Sequence, residues 1–208
     1  MMALRNLQTR TAMSALAVTG ALFLSASIGT SAAADYDNPS TKSATGTFAL
    51  KTGPGIQPAW DAEDITISAI SPGSLTALTS MATSTIYLPI VAKTGTANAT
   101  AGGFKLTNSA TRETVRCLIP TVDTRARAID CLLDSGYNST IFSIESIGDR
   151  NFLSNQNFKT SIFTDMKIKI ISSEMASVLN DALSTNVFTD SVIVANANLT
   201  VSRRTASQ

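Results

Sequence analysis

The segment "CLIPTVDTRARAIDC" (residues 117–131) is the most informative in the chain, because it holds both cysteines of a sequence that contains no histidine. Cys117 and Cys131 lie symmetrically about Thr124, so a hairpin that turns at Thr124 places the two cysteines opposite each other. Directly opposed residues in a non-hydrogen-bonded antiparallel pair have Cα atoms ~4.5 Å apart, which a disulfide tolerates. The same turn would pair further residues on that face, Val115 with Leu133 and Ile119 with Ile129. The segment therefore predicts two antiparallel strands joined by a disulfide.

Other roles for the two cysteines do not fit the sequence. A redox-active Cys-x-x-Cys motif has two residues between its cysteines, and a zinc site needs further Cys or His ligands, which the chain lacks. A single even pair instead indicates a disulfide formed in an oxidising compartment. In the chain-entropy model, closing a loop of ~15 residues stabilises a fold by ~3 kcal/mol.

The rest of the sequence alternates between apolar and polar residues with a period of two, which indicates β-strands. Besides the two hairpin arms, strands are predicted at 45–51, 64–70, 84–93, 103–107, 140–146, 165–171 and 191–201. A series of short strands separated by Gly, Pro, Asn and Ser predicts a mainly-β fold, either an antiparallel β-sandwich or a barrel-like arrangement. Pro89 has no N–H to donate, so we expect its strand to be at an edge or bulged.

One amphipathic helix is predicted near the C-terminus. Ser172 or Ser173 is suited to be its N-cap, and Glu174 falls in the first turn. Apolar residues then recur at helical spacing, at Met175, Val178, Leu179, Ala182 and Leu183. This stripe is typical of a helix that packs on a sheet, so we expect it to cover one end or face of the strands.

The N-terminal region has the pattern of a secretory signal peptide. Arg5 and Arg10 precede an apolar run, and Ala32 and Ala34 occupy the small-residue positions before a cleavage site. The expected organisation is a signal peptide at 1–34, a flexible segment at 35–44, a single domain at 45–203 and a tail at 204–208. We expect the mature protein to be secreted or held in the cell envelope, with no transmembrane segment after removal of the signal.

The overall charge is nearly balanced. Charged residues make up 15% of the chain, and the formal net charge is +1. Cleavage after Ala34 would remove Arg5 and Arg10 and leave the mature chain slightly acidic. A nucleic-acid-binding protein needs a concentrated basic face, so no nucleic-acid partner is expected.

The absence of histidine excludes a Ser-His-Asp triad, a Cys-His dyad and an HExxH zinc site. We therefore expect a protein that is not an enzyme and that holds no metal and no cofactor. One cluster is a candidate ligand or partner site, since Trp60 beside Asp61, Glu63 and Asp64 combines an aromatic platform with acids, as sugar sites do. Two alternatives are an acidic loop with Trp60 packed at a strand edge, and a calcium site without the specific Asp-x-Asp-x-Asp-Gly loop.

Parts of the sequence resemble exported, mostly uncharacterised β-rich proteins of actinobacteria. The resemblance consists of a strand with a Gly-Gly pair, a Val-Asp-Thr hairpin, and a helix of the form Ala-x-x-Leu-Asn before a final strand. These positions are Gly102 and Gly103, 122–124, and Ala176, Leu179 and Asn180. The chain is also distantly similar to the strand pattern of secreted haem-uptake modules of the HtaA type. The resemblance implies an exported β-rich fold, and it assigns no haem ligand because no tyrosine here matches the ligand motif.

Two functional hypotheses of different classes follow. The first is a non-catalytic protein of the cell surface or envelope, whose disulfide-braced strands bind a cell-wall polymer, a lipid or a partner protein, or play a structural role. The second is a secreted protease inhibitor, in which the disulfide-tethered loop 120–128 presents Arg125 or Arg127 to a trypsin-like protease, since a constrained loop loses less entropy on binding. The alternative for that loop is a charged hairpin tip, and a module that binds haem or another small ligand is a further possibility.

Overall fold

The computed structural model describes residues 42–205. The predicted signal peptide (1–34), the segment 35–41 and the last residues of the predicted tail (206–208) lie outside the described residues. The strands, in chain order, are β1 (Lys42–Thr52), β2 (Ile65–Ile70), β3 (Ser74–Leu78), β4 (Thr83–Thr94), β5 (Ala97–Thr100), β6 (Gly103–Asn108), β7 (Thr114–Asp123), β8 (Ala128–Leu132), β9 (Asn138–Ser146), β10 (Arg150–Ser154), β11 (Phe158–Ile170) and β12 (Ile193–Arg204). The helices are α1 (Ile56–Ala62) and α2 (Ser173–Ala182), and a 3-10 turn spans Thr79–Met81. The predicted mainly-β class is confirmed.

Eight of the strands form a closed antiparallel barrel. Their order is β7-β5-β4-β1-β12-β11-β9-β8, and β8 pairs again with β7 to close the ring. The remaining strands extend this sheet: β6 pairs with β7 and β2 with β6, while β3 pairs with part of β4 and β10 with part of β11. Of the two predicted architectures, the barrel-like arrangement is therefore the one formed.

The core lies inside the barrel. On β1, Phe48 and Leu50 point inward and are buried, whereas Thr47 and Ala49 point outward. This alternation follows from the two-residue period of a strand, and each large apolar side chain so buried stabilises the fold by ~1.5–3 kcal/mol. Other strands of the ring contribute fully buried side chains of the same kind, including Ile86, Leu88, Ile129, Ile144, Met166, Ile168 and Leu199.

The register of the β7–β8 hairpin differs from the prediction. Ile129 pairs with Val122 rather than with Ile119, and the pairing becomes irregular after Leu118. Ile119 is exposed, has φ 44°, and donates its N–H to the carbonyl oxygen of Gly102 at 2.7 Å. The prediction of a symmetric register was therefore wrong, because a bulge on β7 turns this residue out of the ladder.

The disulfide forms in spite of that shift. Cys117 and Cys131 are bonded, with Cα atoms 4.9 Å apart, and both side chains are buried. The turn covers the four residues 124–127 rather than centring on Thr124. The carboxylate of Asp123 stabilises it by accepting the backbone N–H groups of Arg125 and Ala126. The disulfide thus ties together the two strands that close the ring.

Pro89 lies within the barrel wall, so the edge position expected for its strand is wrong, but the expected irregularity is present. The backbone of β4 pairs with β1 at Thr47 opposite Pro89, and its register with β5 shifts between Ile90 and Ala92. The partner on that side changes from β3 to β5 at this point, so the missing N–H leaves no gap in a continuous ladder.

Both helices lie at one end of the barrel. The predicted C-terminal helix is α2, and its N-cap is Ser172, whose hydroxyl accepts the N–H of Met175 at 3.2 Å. Leu179 and Leu183 are buried, whereas Val178 is exposed, so only part of the predicted stripe packs on the barrel. The sequence analysis missed α1, a seven-residue helix that follows β1 directly. Within residues 42–205, no helix has both the length and the apolar character needed to cross a bilayer.

The barrel therefore has two distinct ends. The helical end carries α1, α2 and the loops at 109–113 and 133–137. The turn end carries the turns at 95–96, 124–127 and 147–149, and the tip of the β10–β11 hairpin at 155–157. Because β1 and β12 are antiparallel neighbours, the beginning of β1 and the end of β12 both lie at the turn end.

Candidate functional site

The interior of the barrel leaves little room beside Trp60. Trp60 and Phe188 are among the residues that line a cavity of about 20 Å³, and the lining is almost entirely apolar. Holding one water takes ~10–15 Å³ on the same measure of volume. This cavity is therefore too small for haem or any other organic ligand.

A larger groove, of about 530 Å³, crosses the outer face of β4, β1, β12 and β11. Its floor lies on the half of the barrel nearer the helical end. Strand register places its side chains in two rows, Tyr87, Ala49 and Asn198 in one and Thr85, Lys51 and Asn196 in the next. The floor is thus built by residues from three adjacent strands, all on the face opposite the core.

The two walls of the groove come from outside those three strands. Leu78, at the end of β3, stands on one side, and a bulge in β11 stands on the other. At the bulge the register with β12 shifts between Phe163 and Met166, and Asp165 takes φ 50°. β-Bulges commonly re-aim side chains, and here the bulge brings Thr164 and Asp165 to the edge of the groove.

A hydrogen-bond network fixes the polar groups along the β11 wall. Asn198 accepts the backbone N–H of Asp165 on its Oδ1 at 2.9 Å. Lys167 Nζ donates to Asp165 Oδ1 at 2.7 Å and to Asn196 Oδ1 at 3.1 Å. Both asparagines use their oxygen as an acceptor. Their Nδ2 groups have no partner within residues 42–205, so these groups remain available as donors.

The middle of the groove offers a cation and an aromatic ring. Lys51 Nζ has no hydrogen-bond or ion-pair partner within the described residues, and Tyr87 is 41% exposed. Tyr87 presents an apolar ring together with a hydroxyl that can donate or accept. Together with Asp165 Oδ2, these groups supply donors, an acceptor and a flat apolar surface within one groove.

The lining of the groove holds few groups that could take part in acid–base chemistry. Asp165 is the only carboxylate among the residues that line it. Glycoside hydrolysis generally needs a pair of carboxylates that flank the glycosidic bond. Within residues 42–205 there is also no group of three or more His, Cys, Asp or Glu placed to hold a metal ion.

The structure places the Trp60 cluster of the sequence analysis at the helical end. Trp60 is only 6% exposed, and its ring packs on Phe188 with 5.7 Å between centroids. Asp61 and Asp64 are exposed, and Asp61 accepts a hydrogen bond from Gln57 Nε2 at 2.8 Å. The tryptophan ring therefore faces the core and forms no surface platform beside the acids, while a partner role for Asp61 and Asp64 stays a prediction.

Arg125 and Arg127 lie at the opposite end of the barrel from that cluster. Both are exposed in the turn at 124–127, and Arg127 donates from its guanidinium to the carbonyl oxygen of Glu145 at 3.1 Å. Arg127 also has φ 56°, so the turn has a defined local shape. Inhibition of a protease by this turn stays a prediction. The residues proposed from the sequence thus form two separate groups.

The groove was not predicted from the sequence. A signal for part of it exists in "VANANLTV" (194–201), where Asn196 and Asn198 alternate with apolar residues. Asparagine is depleted in strands, so two at one face indicate a functional surface. Tyr87 and Asp165 carry no comparable signal, because strand order alone brings them together.

Comparisons with known proteins give a single distant likeness to report. No family model matches the chain, and no curated protein matches it. Among solved structures, the haem-binding protein HtaB from Corynebacterium glutamicum is similar over 78% of this chain and 95% of that chain, with 11% identity and a TM-score of 0.46. The likeness is weak. It assigns no ligand to this chain.

Proposed function

We propose that the protein is a non-catalytic binding protein of the cell surface or envelope, and that its outer groove holds a neutral polysaccharide chain. The observation that carries this proposal is that one groove combines an exposed tyrosine ring, a carboxylate, and asparagine Nδ2 groups and an ammonium that have no partner within residues 42–205. The residues concerned are Asn196, Asn198, Lys51, Asp165 and Tyr87.

A carbohydrate matches this set of groups. Each sugar hydroxyl both donates and accepts a hydrogen bond, so it can bind the asparagine Nδ2 groups and the carboxylate of Asp165 at the same time. The C–H face of a sugar ring is apolar and packs on the ring of Tyr87. The groove spans four strands, and strand spacings of ~4.8 Å make it ~14 Å across, long enough for more than one sugar ring.

The compartment is part of the proposal. A buried disulfide between Cys117 and Cys131 suits a protein that folds in an oxidising environment. The predicted signal peptide at 1–34 supports export, and either secretion or retention in the envelope brings the groove to cell-wall polysaccharide.

The test is binding to insoluble polysaccharides, including cellulose, chitin, α-glucan and purified cell walls, followed by affinity measurement with soluble fragments of any that retain the protein. Tyr87→Ala should weaken binding by about tenfold or more, because it removes a stacking surface worth roughly 1–3 kcal/mol. Asn196→Ala and Asn198→Ala should each weaken it as well.

Tyr137 provides the matched control. It is 75% exposed and lies at the helical end, outside the groove. Tyr137→Ala should therefore leave polysaccharide binding unchanged. Equal losses for Tyr87→Ala and Tyr137→Ala, or no retention on any neutral polysaccharide, would contradict the assignment of the groove.

A further inference from the structure

We propose that the turn end of the barrel docks on an anionic lipid surface, with the tip of the β10–β11 hairpin inserted among the headgroups. This surface is distinct from the groove and does not depend on what the groove binds. Two features carry the proposal: a concentration of cations at this end, and apolar side chains exposed on the hairpin beside them.

The cations come from segments that are far apart in the sequence. Lys93 is the last residue but one of β4, close to the turn at 95–96, and Arg125 and Arg127 lie in the turn at 124–127. The β10–β11 hairpin and the end of β12 add Arg150, Lys159, Arg203 and Arg204. Register places Lys159 directly beside Arg203. Strand order therefore gathers a basic surface that the nearly neutral composition conceals.

Within residues 42–205, fewer acids than cations lie at this end. Asp123 accepts backbone N–H groups of its own turn at 2.8 and 3.0 Å, and Glu145 pairs with Lys169 at 2.7 Å. The hydrogen bond and the charge of Lys169 lower the pKa of Glu145, which keeps that carboxylate ionised and paired. Asp149 is the third acid here, in the turn at 147–149.

The cations also lie close enough to act on one another. Burial lowers the pKa of Lys93, and the positive charge of Arg203 lowers it further. Two cations held near each other attract an anion more strongly than either does alone, since their potentials add. By contrast, the helical end carries mostly acids, at Asp61, Glu63, Asp64, Glu174, Asp181 and Asp190.

The hairpin supplies the apolar part. Phe152 is 69% exposed, Leu153 60% and Phe158 41%. Register places Leu153 and Phe158 on the outer face with Arg204, and Phe152 on the other face with Lys159. Each face of the hairpin thus combines exposed apolar side chains with a cation, which is the composition of a segment that lies in a membrane interface.

The hairpin is held in place at its tip. Asn155 Oδ1 accepts the N–H groups of Asn157 and Phe158 at 2.9 and 2.7 Å. The N–H of Thr205, after the end of β12, donates to the carbonyl oxygen of Asn157 at 2.9 Å. The apolar residues are therefore presented on a rigid support, and binding does not have to order them.

An anionic lipid surface fits this end better than a second copy of the chain does. Two turn ends facing each other would bring like charges together, which opposes association. A bilayer with negative headgroups supplies the opposite charge to Lys and Arg, and the boundary of its acyl region accepts Phe and Leu side chains.

The experiment is co-sedimentation with vesicles of equal parts phosphatidylglycerol and phosphatidylcholine, compared with vesicles of phosphatidylcholine alone. The protein is expressed from its complete coding sequence, so that wild type and variants share the same N-terminal segment. We expect binding to the anionic vesicles that weakens with salt. Lys159→Gln and Arg204→Gln should each lower the partition coefficient by about fivefold.

Leu153→Ser and Phe158→Ser together should lower the partition coefficient by about tenfold or more, because two exposed apolar side chains are removed. Lys105→Gln on β6 and Val178→Ser on α2 are matched controls away from the turn end, and they should bind as wild type does. Thermal unfolding of every variant checks that the fold is intact.

Three results would overturn the proposal. One is no binding to phosphatidylglycerol vesicles. A second is vesicle binding that the charge variants abolish but that the Leu153→Ser, Phe158→Ser pair leaves intact, which would mean that charge alone holds the protein on any polyanion and that the hairpin does not insert. The third is a dimer in light scattering that the same pair converts to a monomer without any vesicle binding, which would assign the hairpin to self-association.

Discussion

At the helical end the barrel is sealed by packing, whereas at the turn end it is held by hydrogen bonds. Trp60 of α1 meets Phe188 across 5.7 Å, and Leu183, just after α2, is fully buried. At the turn end, Asp123 and Asn155 instead anchor exposed turns through their carboxylate and amide oxygens. Packed apolar side chains thus cover the barrel at one end, while cations and exposed apolar residues are concentrated at the other.

Because of this separation, we expect the two ends to differ in how amino-acid substitutions affect stability. Burial of a large side chain contributes several kcal/mol, whereas an exposed charge contributes within about 0.5 kcal/mol. Substitutions at the helical end should therefore change the free energy of unfolding, and substitutions at the turn end should change mainly what the surface binds.

Trp60→Ala tests the packed end and has the largest expected effect. We expect it to lower the free energy of unfolding by ~3–5 kcal/mol, because it removes a buried indole and its contact with Phe188. Urea titration monitored by far-UV circular dichroism measures the change. Tyr137→Ala removes an exposed aromatic residue at the same end, and its effect should stay within about 0.5 kcal/mol. Similar decreases in the free energy of unfolding for both variants would contradict a special role of Trp60 in packing this end of the barrel.

The double variant Cys117→Ala, Cys131→Ala tests the wall between the two ends. Removing the disulfide should lower the free energy of unfolding by ~3 kcal/mol, as expected for a loop of ~15 residues. Since β7 and β8 close the ring, we expect the amides of these two strands to lose the most protection in hydrogen exchange. Uniform loss of protection over both ends would mean that the barrel opens only as a whole.

Asp123→Asn tests the turn end and should have the smallest effect. Burial alone would raise the pKa of Asp123, but hydrogen bonds from Ala126, Thr96 and Arg125 outweigh it and lower the pKa below its ordinary value of 3.8. A carboxyl with a lowered pKa stabilises the fold at pH values above the ordinary one, and this contribution is lost as the pH falls through the lowered pKa.

Asparagine can still accept the two backbone hydrogen bonds of this turn, so the variant removes the charge and keeps the turn. We expect its melting temperature to fall less steeply than that of wild type as the pH drops below 3.8. Asp61→Asn, at the helical end, serves as the control. A slope identical to that of wild type would show that Asp123 contributes no charge-dependent stability.

The parts of the fold that were predicted from sequence are those that depend on residues close together in the chain. Alternation of apolar and polar residues located the cores of β1, β4, β11 and β12, and a spacing of three and four located α2. The pairing of Cys117 with Cys131 was also correct, because only two cysteines were available. Their strand register was not, since the bulge at Ile119 depends on a contact with Gly102, which is distant in sequence.

The elements that were missed lack a periodic signal. β3 and β10 are exposed on both faces, so they show no alternation to detect, and β5 has only four residues, at Ala97–Thr100. α1 begins after a Gly-Pro-Gly turn and is too short to present a stripe. In each case the strand or helix is stabilised by its neighbours rather than by its own sequence.

Both surface sites depend on strand order, which the sequence does not display. Tyr87 and Asn198 are far apart along the chain and meet only because β1 lies between β4 and β12. The cations of the turn end are likewise spread from Lys93 to Arg204. Composition averaged over the chain shows a net charge of +1 and gives no sign of this asymmetry.

The pairing of β1 with β12 has a consequence for how the chain acquires its structure. Thr45 lies beside Ser202, so one side of β1 can pair early with β4, but its other side has no partner until the last strand is available. Contacts between residues so distant in sequence slow folding, because the chain loses the entropy of closing a long loop before the contacts stabilise it. Because β12 lies between β1 and β11, the ring of a newly made chain of this topology cannot close until its last strand has been synthesised.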